Sequence, residues 1–190
     1  VSGLLGQCAI MARAPDIVVG IGNVLRRDDG IGVEVARQLG ARALPDHVEV
    51  CDGGTLGLDL ACIIENRRRV VIVDATDAGE SPGTVFRLSP EQLSPASNVG
   101  LSVHDFHLLH ALDETRLTGT EPEETIVIAV QVGDTSAGIG LSDPVRDAAD
   151  RVVALVAKEL GIPMNDARRA PAFADGYAPQ AERADACTER

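Results

Sequence analysis

The chain has 190 residues, of which 45% are hydrophobic and only 2% aromatic, so we expect a core of aliphatic side chains. Its 29 acidic residues outnumber its 17 lysines and arginines and give a formal net charge of −12, which disfavours binding to nucleic acid or an anionic membrane. No apolar run approaches the roughly 20 residues of a membrane-spanning helix. The four cysteines form no C-x-x-C pair, which favours a reducing cytoplasm and no disulfide framework.

Strands and helices are predicted to alternate along the chain. Hydrophobic periodicity and turn residues predict, in the first half, strand 17–22, helix 29–44, strand 48–51, helix 56–65 and strand 70–73. The second half has a predicted edge strand 84–88, helix 104–117, strand 125–132 and a last helix that begins at Asp143-Pro144 and ends at Gly161. The segment Asp52-Gly53-Gly54-Thr55 is predicted to be a tight turn.

This alternation with short connections predicts an α/β fold class. We expect a single three-layer domain with a mostly parallel, twisted sheet of about five strands and helices on both faces. Right-handed crossovers would place the second and third strands on either side of the first. The domain is predicted to span 16–164, between an N-terminal extension over 1–15 and a flexible C-terminal tail over 165–190.

Two carboxylates and one histidine are the candidate functional residues. Asp29 follows the first strand and Asp74 ends the third, so both lie at the carboxyl edge of the predicted sheet, where open α/β sheets bind ligands. His104 is placed at or near the start of a helix. Together they form an incomplete ligand set for a borderline divalent metal, or acid–base machinery around a scissile carbonyl. Asp52 to Thr55 also lies at this edge and is a candidate substrate-binding segment.

Simpler interpretations exist for each of these residues. Asp28 or Asp29 is a suitable cap for the first helix, Asp74 can be a solvated residue at a strand end, and a single histidine is most often a surface residue. The rival functional interpretation is a nucleotide-binding turn at Gly20-x-Gly22. Leu25 stands where that fingerprint has its third glycine, and the acids at the turn would repel a pyrophosphate.

The order of these motifs resembles the hydrogenase maturation proteases. The N-terminal signature of that family is similar to Gly20–Leu25 followed by Asp28–Val33. The other matching segments, in order, are Asp52–Thr55, Val71–Ala75, Pro82–Thr84, His104 and Gly138–Ser142. The resemblance covers roughly residues 17–160.

The resemblance implies a cytoplasmic endopeptidase that removes a C-terminal extension from the large-subunit precursor of a nickel–iron hydrogenase after nickel insertion. Nickel is then carried by the substrate as the recognition signal, contacted by Asp29, Asp74 and His104. It further implies aspartic-type catalysis by Asp29 and Asp74. We expect a monomer with no nucleic-acid or membrane partner. The alternatives are a non-catalytic nickel chaperone and a flavodoxin-like nucleotide- or metabolite-binding module.

Overall fold

Five strands form one central sheet in the computed structural model, which describes residues 13–55, 60–93, 103–162 and 164, with only the backbone of 103–106. The strands are β1 (Asp16–Ile21), β2 (Val48–Gly54), β3 (Arg69–Thr76), β4 (Val85–Leu88) and β5 (Glu124–Gln131). Their order in the sheet is β2-β1-β3-β5-β4. Of these five described strands, only β4, at one edge, pairs antiparallel. The predicted mostly parallel sheet, with β2 and β3 flanking β1, is confirmed.

Helices cover both faces of this sheet. They are α1 (Ile31–Gly40), α2 (Leu60–Ile64), α3 (Val103–Thr118) and α4 (Asp143–Glu159), with short 3-10 helices at Arg27–Gly30 and Pro90–Leu93. One hydrophobic cluster contains side chains of α1 and α4, and a second contains side chains of α2 and α3. The three-layer arrangement predicted from the sequence is therefore confirmed.

Strand β1 shows how the sequence produces these layers. All six of its residues are buried, as expected for a central parallel strand covered on both faces. Because side chains alternate along a strand, Val18 packs in the α1/α4 cluster, whereas Ile17 and Val19 pack in the α2/α3 cluster. Burying each of these side chains contributes about 1.5–3 kcal/mol.

Several element boundaries differ from the predictions. Helix α1 begins at Ile31 rather than at the predicted residue 29, because a 3-10 turn occupies the residues before it. It ends at Gly40 rather than at the predicted residue 44. The predicted turn 52–55 is largely strand: the Gly22 N–H donates to the Gly54 carbonyl at 2.7 Å and extends the pairing of β1 with β2. At the last helix, the N-cap is Ser142 rather than Asp143, although proline occupies the first turn as expected.

Three remaining predictions concern the ends of the chain, the cysteines and membrane-spanning helices. Most of the predicted N-terminal extension, residues 56–59 of the second helix, and the predicted tail 165–190 lie outside the described residues. Cys51 is a free thiol, whereas Cys62 is disulfide-bonded, which the cysteine spacing, with its expectation of no disulfide framework, did not predict. Within the described ranges, no helix is long and apolar enough to cross a membrane.

Candidate active site

Glycines allow the turn after β1 to lie directly against the carboxyl ends of β1 and β3. A Cβ on Gly32 would lie 2.2 Å from the carbonyl oxygen of Val73, so no larger residue fits there. Gly22 has a φ of +141°, and a Cβ on it would lie 1.9 Å from the carbonyl oxygen of Asp29. Val73 directly precedes Asp74. The glycines therefore place Asp29 and Asp74 at the same edge of the sheet, as predicted.

Asp29 is half-buried in the 3-10 turn that contacts β3. One of its carboxylate oxygens accepts a hydrogen bond from the Asn23 backbone N–H at 3.2 Å. The N-cap of α1 is Gly30, and no side chain of the described residues forms a capping hydrogen bond there. The simpler interpretation, in which Asp28 or Asp29 caps the helix, is therefore wrong. A partly accessible carboxylate can serve as a ligand or as a base.

Asp74 lies inside β3, two residues before the strand ends, and only 2% of its surface is exposed. Its Oδ1 atom accepts a hydrogen bond from the adjacent Ala75 N–H at 2.7 Å. The interpretation of Asp74 as a solvated residue at a turn is thus wrong. Asp74 is therefore a buried carboxylate at the carboxyl ends of the parallel strands, where α/β sheets assemble their ligand sites.

The third predicted ligand, His104, is the second residue of α3. Its backbone is described and its side chain is not, so its contact with the two carboxylates stays a prediction. Among the side chains that are described, no group of three or more histidine, cysteine, aspartate or glutamate residues is arranged to bind a metal. Of the predicted trio, the structure thus describes the two carboxylates.

The predicted substrate-binding segment lies beside the turn after β1. Asp52 is exposed, and its Oδ1 atom accepts a hydrogen bond from the Gly54 N–H at 3.0 Å, which holds the end of β2 in place. Gly53 is buried, and a Cβ on it would lie 2.9 Å from a methyl group of Val19. Thr55 follows in an exposed turn. The segment is positioned next to the site, and its binding of substrate stays a prediction.

Asp28 is an important residue of the site whose role was missed by the sequence reasoning. It is fully buried, and its Oδ2 atom accepts hydrogen bonds from the backbone N–H groups of Gly133 (2.9 Å) and Asp134 (2.8 Å). The Ser142 backbone N–H donates to the Oδ1 atom of Asp28 (2.6 Å), and the Ser142 hydroxyl donates to its Oδ2 atom (2.8 Å). One carboxylate therefore fastens the turn carrying Asp29 to the loop between β5 and α4. The sequence shows only an Asp-Asp pair and does not reveal that the first side chain is buried and the second is partly exposed.

Backbone pairing reinforces this connection between the two loops. The Gly138 N–H donates to the Leu25 carbonyl at 2.9 Å, and the Arg27 N–H donates to the Gly138 carbonyl at 3.1 Å. Arg27 has a φ of +48°, a left-handed conformation that non-glycine residues seldom adopt. Its side chain lies 3.3 Å from a carboxylate oxygen of Asp134. These contacts connect the turn that carries Asp29 to the loop between β5 and α4, which is distant in sequence.

The hydrogen bonds to Asp28 predict an acid-sensitive contribution to stability. Burial raises the pKa of its carboxyl group, but hydrogen bonds from Ser142, Asp134 and Gly133 outweigh burial and leave the pKa below its usual value. As the pH falls below about 4, the unfolded chain takes up this proton before the folded chain does. The contribution is therefore complete above about pH 4 and is lost as the pH falls toward the folded-state pKa.

We expect urea unfolding at pH 5 and pH 3 to show this difference. The free energy of unfolding should fall more steeply with acidification in the wild type than in Asp28→Asn, which has no titrating group at this position. Comparing the two chains cancels the titration of the many other acidic residues. Equal losses in both chains would show that Asp28 carries no acid-sensitive stability.

Comparisons with known proteins give a consistent result. A family model described as HycI, hydrogenase maturation protease, matches residues 33–159. The hydrogenase 2 maturation protease of Escherichia coli is 34% identical over 68% of this chain and 80% of its own length. A putative hydrogenase maturation protease of Methanocaldococcus jannaschii is 31% identical over 79% of this chain and 99% of its own length. The solved structure of the hydrogenase maturating endopeptidase HybD from E. coli superposes with a TM-score of 0.70 at 31% identity, covering 77% and 91% of the two chains.

Proposed function

Because the chain belongs to the hydrogenase maturation protease family, we propose that it removes a C-terminal extension from the large-subunit precursor of a nickel–iron hydrogenase after nickel insertion. One observation carries the proposal: the glycine-packed turn places Asp29 beside the end of β3, where Asp74 lies. This edge of a parallel sheet is where α/β proteins assemble their ligand sites. The enzyme is proposed to be of the aspartic type.

In the proposed reaction, a carboxylate activates water for attack on the scissile peptide carbonyl. Asp29, which is partly exposed, is our candidate for the base that removes a proton from the water. The water oxygen forms a bond to the carbonyl carbon, the C–N bond breaks, and the proton passes to the leaving amine. Asp74, buried at the same edge, would add negative charge that favours a cationic group arriving with the substrate.

That cationic group is proposed to be the nickel ion that the precursor already carries. Asp29, Asp74 and His104 would contact the ion, and carboxylate and imidazole groups are suitable ligands for it. Because these residues number only three, they would complete rather than replace the ligand set of the substrate. The metal would therefore act as a signal that the precursor is loaded. The segment Asp52–Thr55, beside the turn, would bind the polypeptide around it.

We further propose that the enzyme acts in the cytoplasm as a monomer, with the precursor as its macromolecular partner. The net charge of −12 supports a function that involves neither nucleic acid nor an anionic membrane surface. A non-catalytic nickel chaperone remains the alternative that needs a direct test. Such a protein would bind nickel by itself and leave the precursor uncut.

Nickel dependence tests this proposal. With purified precursor, we expect the nickel-loaded form to be cut at least about a hundredfold faster than the metal-free form, a ratio typical of losing one well-placed electrostatic contact. The rates are measured by quantifying the shortened large subunit over time. A zinc-loaded precursor serves as the control for a general effect of divalent ions. Equal rates for loaded and metal-free precursor would contradict the role of nickel as the recognition signal.

A further inference from the structure

Three large, exposed hydrophobic side chains lie close to Asp29. They are on two paired loops, the turn after β1 and the loop between β5 and α4. Val24 is 41% exposed, Leu25 61% and Ile139 83%. In the described part of the chain, the other exposed large hydrophobic residues are Leu117 and Met164. Single exposed apolar residues are ordinary, but several together beside a candidate site indicate a binding surface. We refer to Val24, Leu25 and Ile139 as the apolar rim.

The apolar rim is held in a fixed arrangement by the backbone beneath it. The Leu25 N–H donates to the Asn23 side-chain oxygen at 3.0 Å, and the Arg26 N–H donates to the Asn23 carbonyl at 2.9 Å. The Leu25 carbonyl accepts the Gly138 N–H, which places Ile139 on the adjoining segment. Because the backbone is already ordered, binding an apolar partner here costs little conformational entropy.

The apolar rim is also continuous with the candidate catalytic carboxylate. Asn23, whose backbone N–H donates to Asp29, directly precedes Val24 in the chain. A polypeptide whose scissile bond lies at Asp29 must therefore have its neighbouring residues close to Val24 and Leu25. This continuity identifies the substrate polypeptide as the occupant, in preference to a partner that binds elsewhere on the protein.

We propose that the apolar rim binds apolar side chains of the precursor segment next to the scissile bond and so determines which polypeptide is cut. This inference rests on the proposed endopeptidase function and adds to it the residues that select the substrate. The surroundings agree with such a partner, because the exposed Arg26 places positive charge on this loop of an otherwise acidic protein. A segment that combines apolar side chains with a carboxylate would fit this surface best.

The test measures binding of the nickel-loaded precursor by interferometry with chains that carry Asp29→Asn, so that the precursor is not consumed. Leu25→Ser and Ile139→Ser are each added to this background. The matched control is Leu117→Ser. Leu117 is 89% exposed and lies near the C-terminal end of α3, which precedes β5 and therefore lies at the amino ends of the parallel strands. The KM and kcat of the same three substitutions in the otherwise wild-type enzyme provide a second readout.

We expect Leu25→Ser and Ile139→Ser to weaken precursor binding by about tenfold or more and to raise KM similarly, with kcat nearly unchanged. Leu117→Ser should leave both quantities unchanged. All three variants should keep the wild-type melting temperature, since the side chains are exposed. Unchanged affinity in both rim variants would overturn the inference, as would a loss of self-association alone, which would assign the surface to a second copy of this chain.

The same data separate this inference from the proposed function. Rim variants that lose affinity in a protein that never cuts the precursor would support the rim as the binding surface and contradict the endopeptidase. A wild type that cuts the precursor with rim variants of wild-type affinity would support the endopeptidase and contradict the rim. Absence of precursor binding in both backgrounds would overturn both proposals.

Discussion

Replacing Asp29 with asparagine is expected to slow processing of the nickel-loaded precursor by at least about a hundredfold while leaving the fold intact. Asparagine keeps an oxygen that can accept the hydrogen bond from the Asn23 N–H, so the turn should persist. What disappears is the negative charge and the ability to take a proton from water. Asp46→Asn is the control. Asp46 is exposed and directly precedes β2, so it lies at the amino ends of the parallel strands, whereas Asp29 lies at their carboxyl ends.

The kinetic form of the loss distinguishes the two roles proposed for Asp29. If the carboxylate is the general base, kcat falls and the affinity for the precursor is preserved. If it acts by contacting the nickel ion of the substrate, the affinity weakens for the loaded precursor and not for the metal-free one. Processing by Asp29→Asn at the wild-type rate would remove Asp29 from both roles.

Replacing Asp28 with alanine is expected to have the largest effect on stability among the substitutions at this edge of the sheet. The change leaves three backbone N–H groups and the Ser142 hydroxyl without their acceptor in a partly buried position, and it leaves a cavity where the buried carboxylate was. The free energy of unfolding should fall by about 3 kcal/mol or more. For a chain of this length, the melting temperature should then fall by roughly 6–12 °C. Urea unfolding followed by circular dichroism measures the difference.

Two further variants make this prediction specific. Asp28→Asn keeps one oxygen for the donors grouped at Oδ2 but turns an amide N–H₂ toward the Ser142 N–H, so we expect an intermediate loss of about 1–2 kcal/mol. Asp134→Ala removes a half-exposed carboxylate that pairs with Arg27, and we expect less than about 1 kcal/mol. An Asp28→Ala chain as stable as Asp134→Ala would show that the buried carboxylate does not fasten the two loops.

The fold was predictable because its main signals are local and continuous. The run Val70–Val73 reads as a strand buried on both faces, and the segment 125–132 reads the same way; both are strands of the sheet. The alternation of such runs with amphipathic segments predicted a sheet covered by helices on both faces. The ends of β2 and α1 were less predictable, because they depend on contacts with the turn after β1 rather than on their own residues.

Site residues were predictable only where their position relative to a strand determines where they lie in the fold. Asp29 and Asp74 each follow the apolar part of a strand, so parallel pairing of β1 with β3 brings them to one edge. The role of Asp28 depends on partners 105 to 114 residues away in the sequence, which no local pattern indicates. The apolar rim was missed for the same reason: Leu25 and Ile139 become neighbours only when the two loops pair.

The most direct measurement of the central claim is the intact mass of a nickel-loaded hydrogenase large-subunit precursor before and after incubation with this protein. The proposed function predicts that the precursor loses the mass of a single C-terminal peptide and that the peptide appears in solution as one species. A precursor whose mass is unchanged, with nickel bound and this protein folded, would contradict the assignment of this chain as the processing endopeptidase of that hydrogenase.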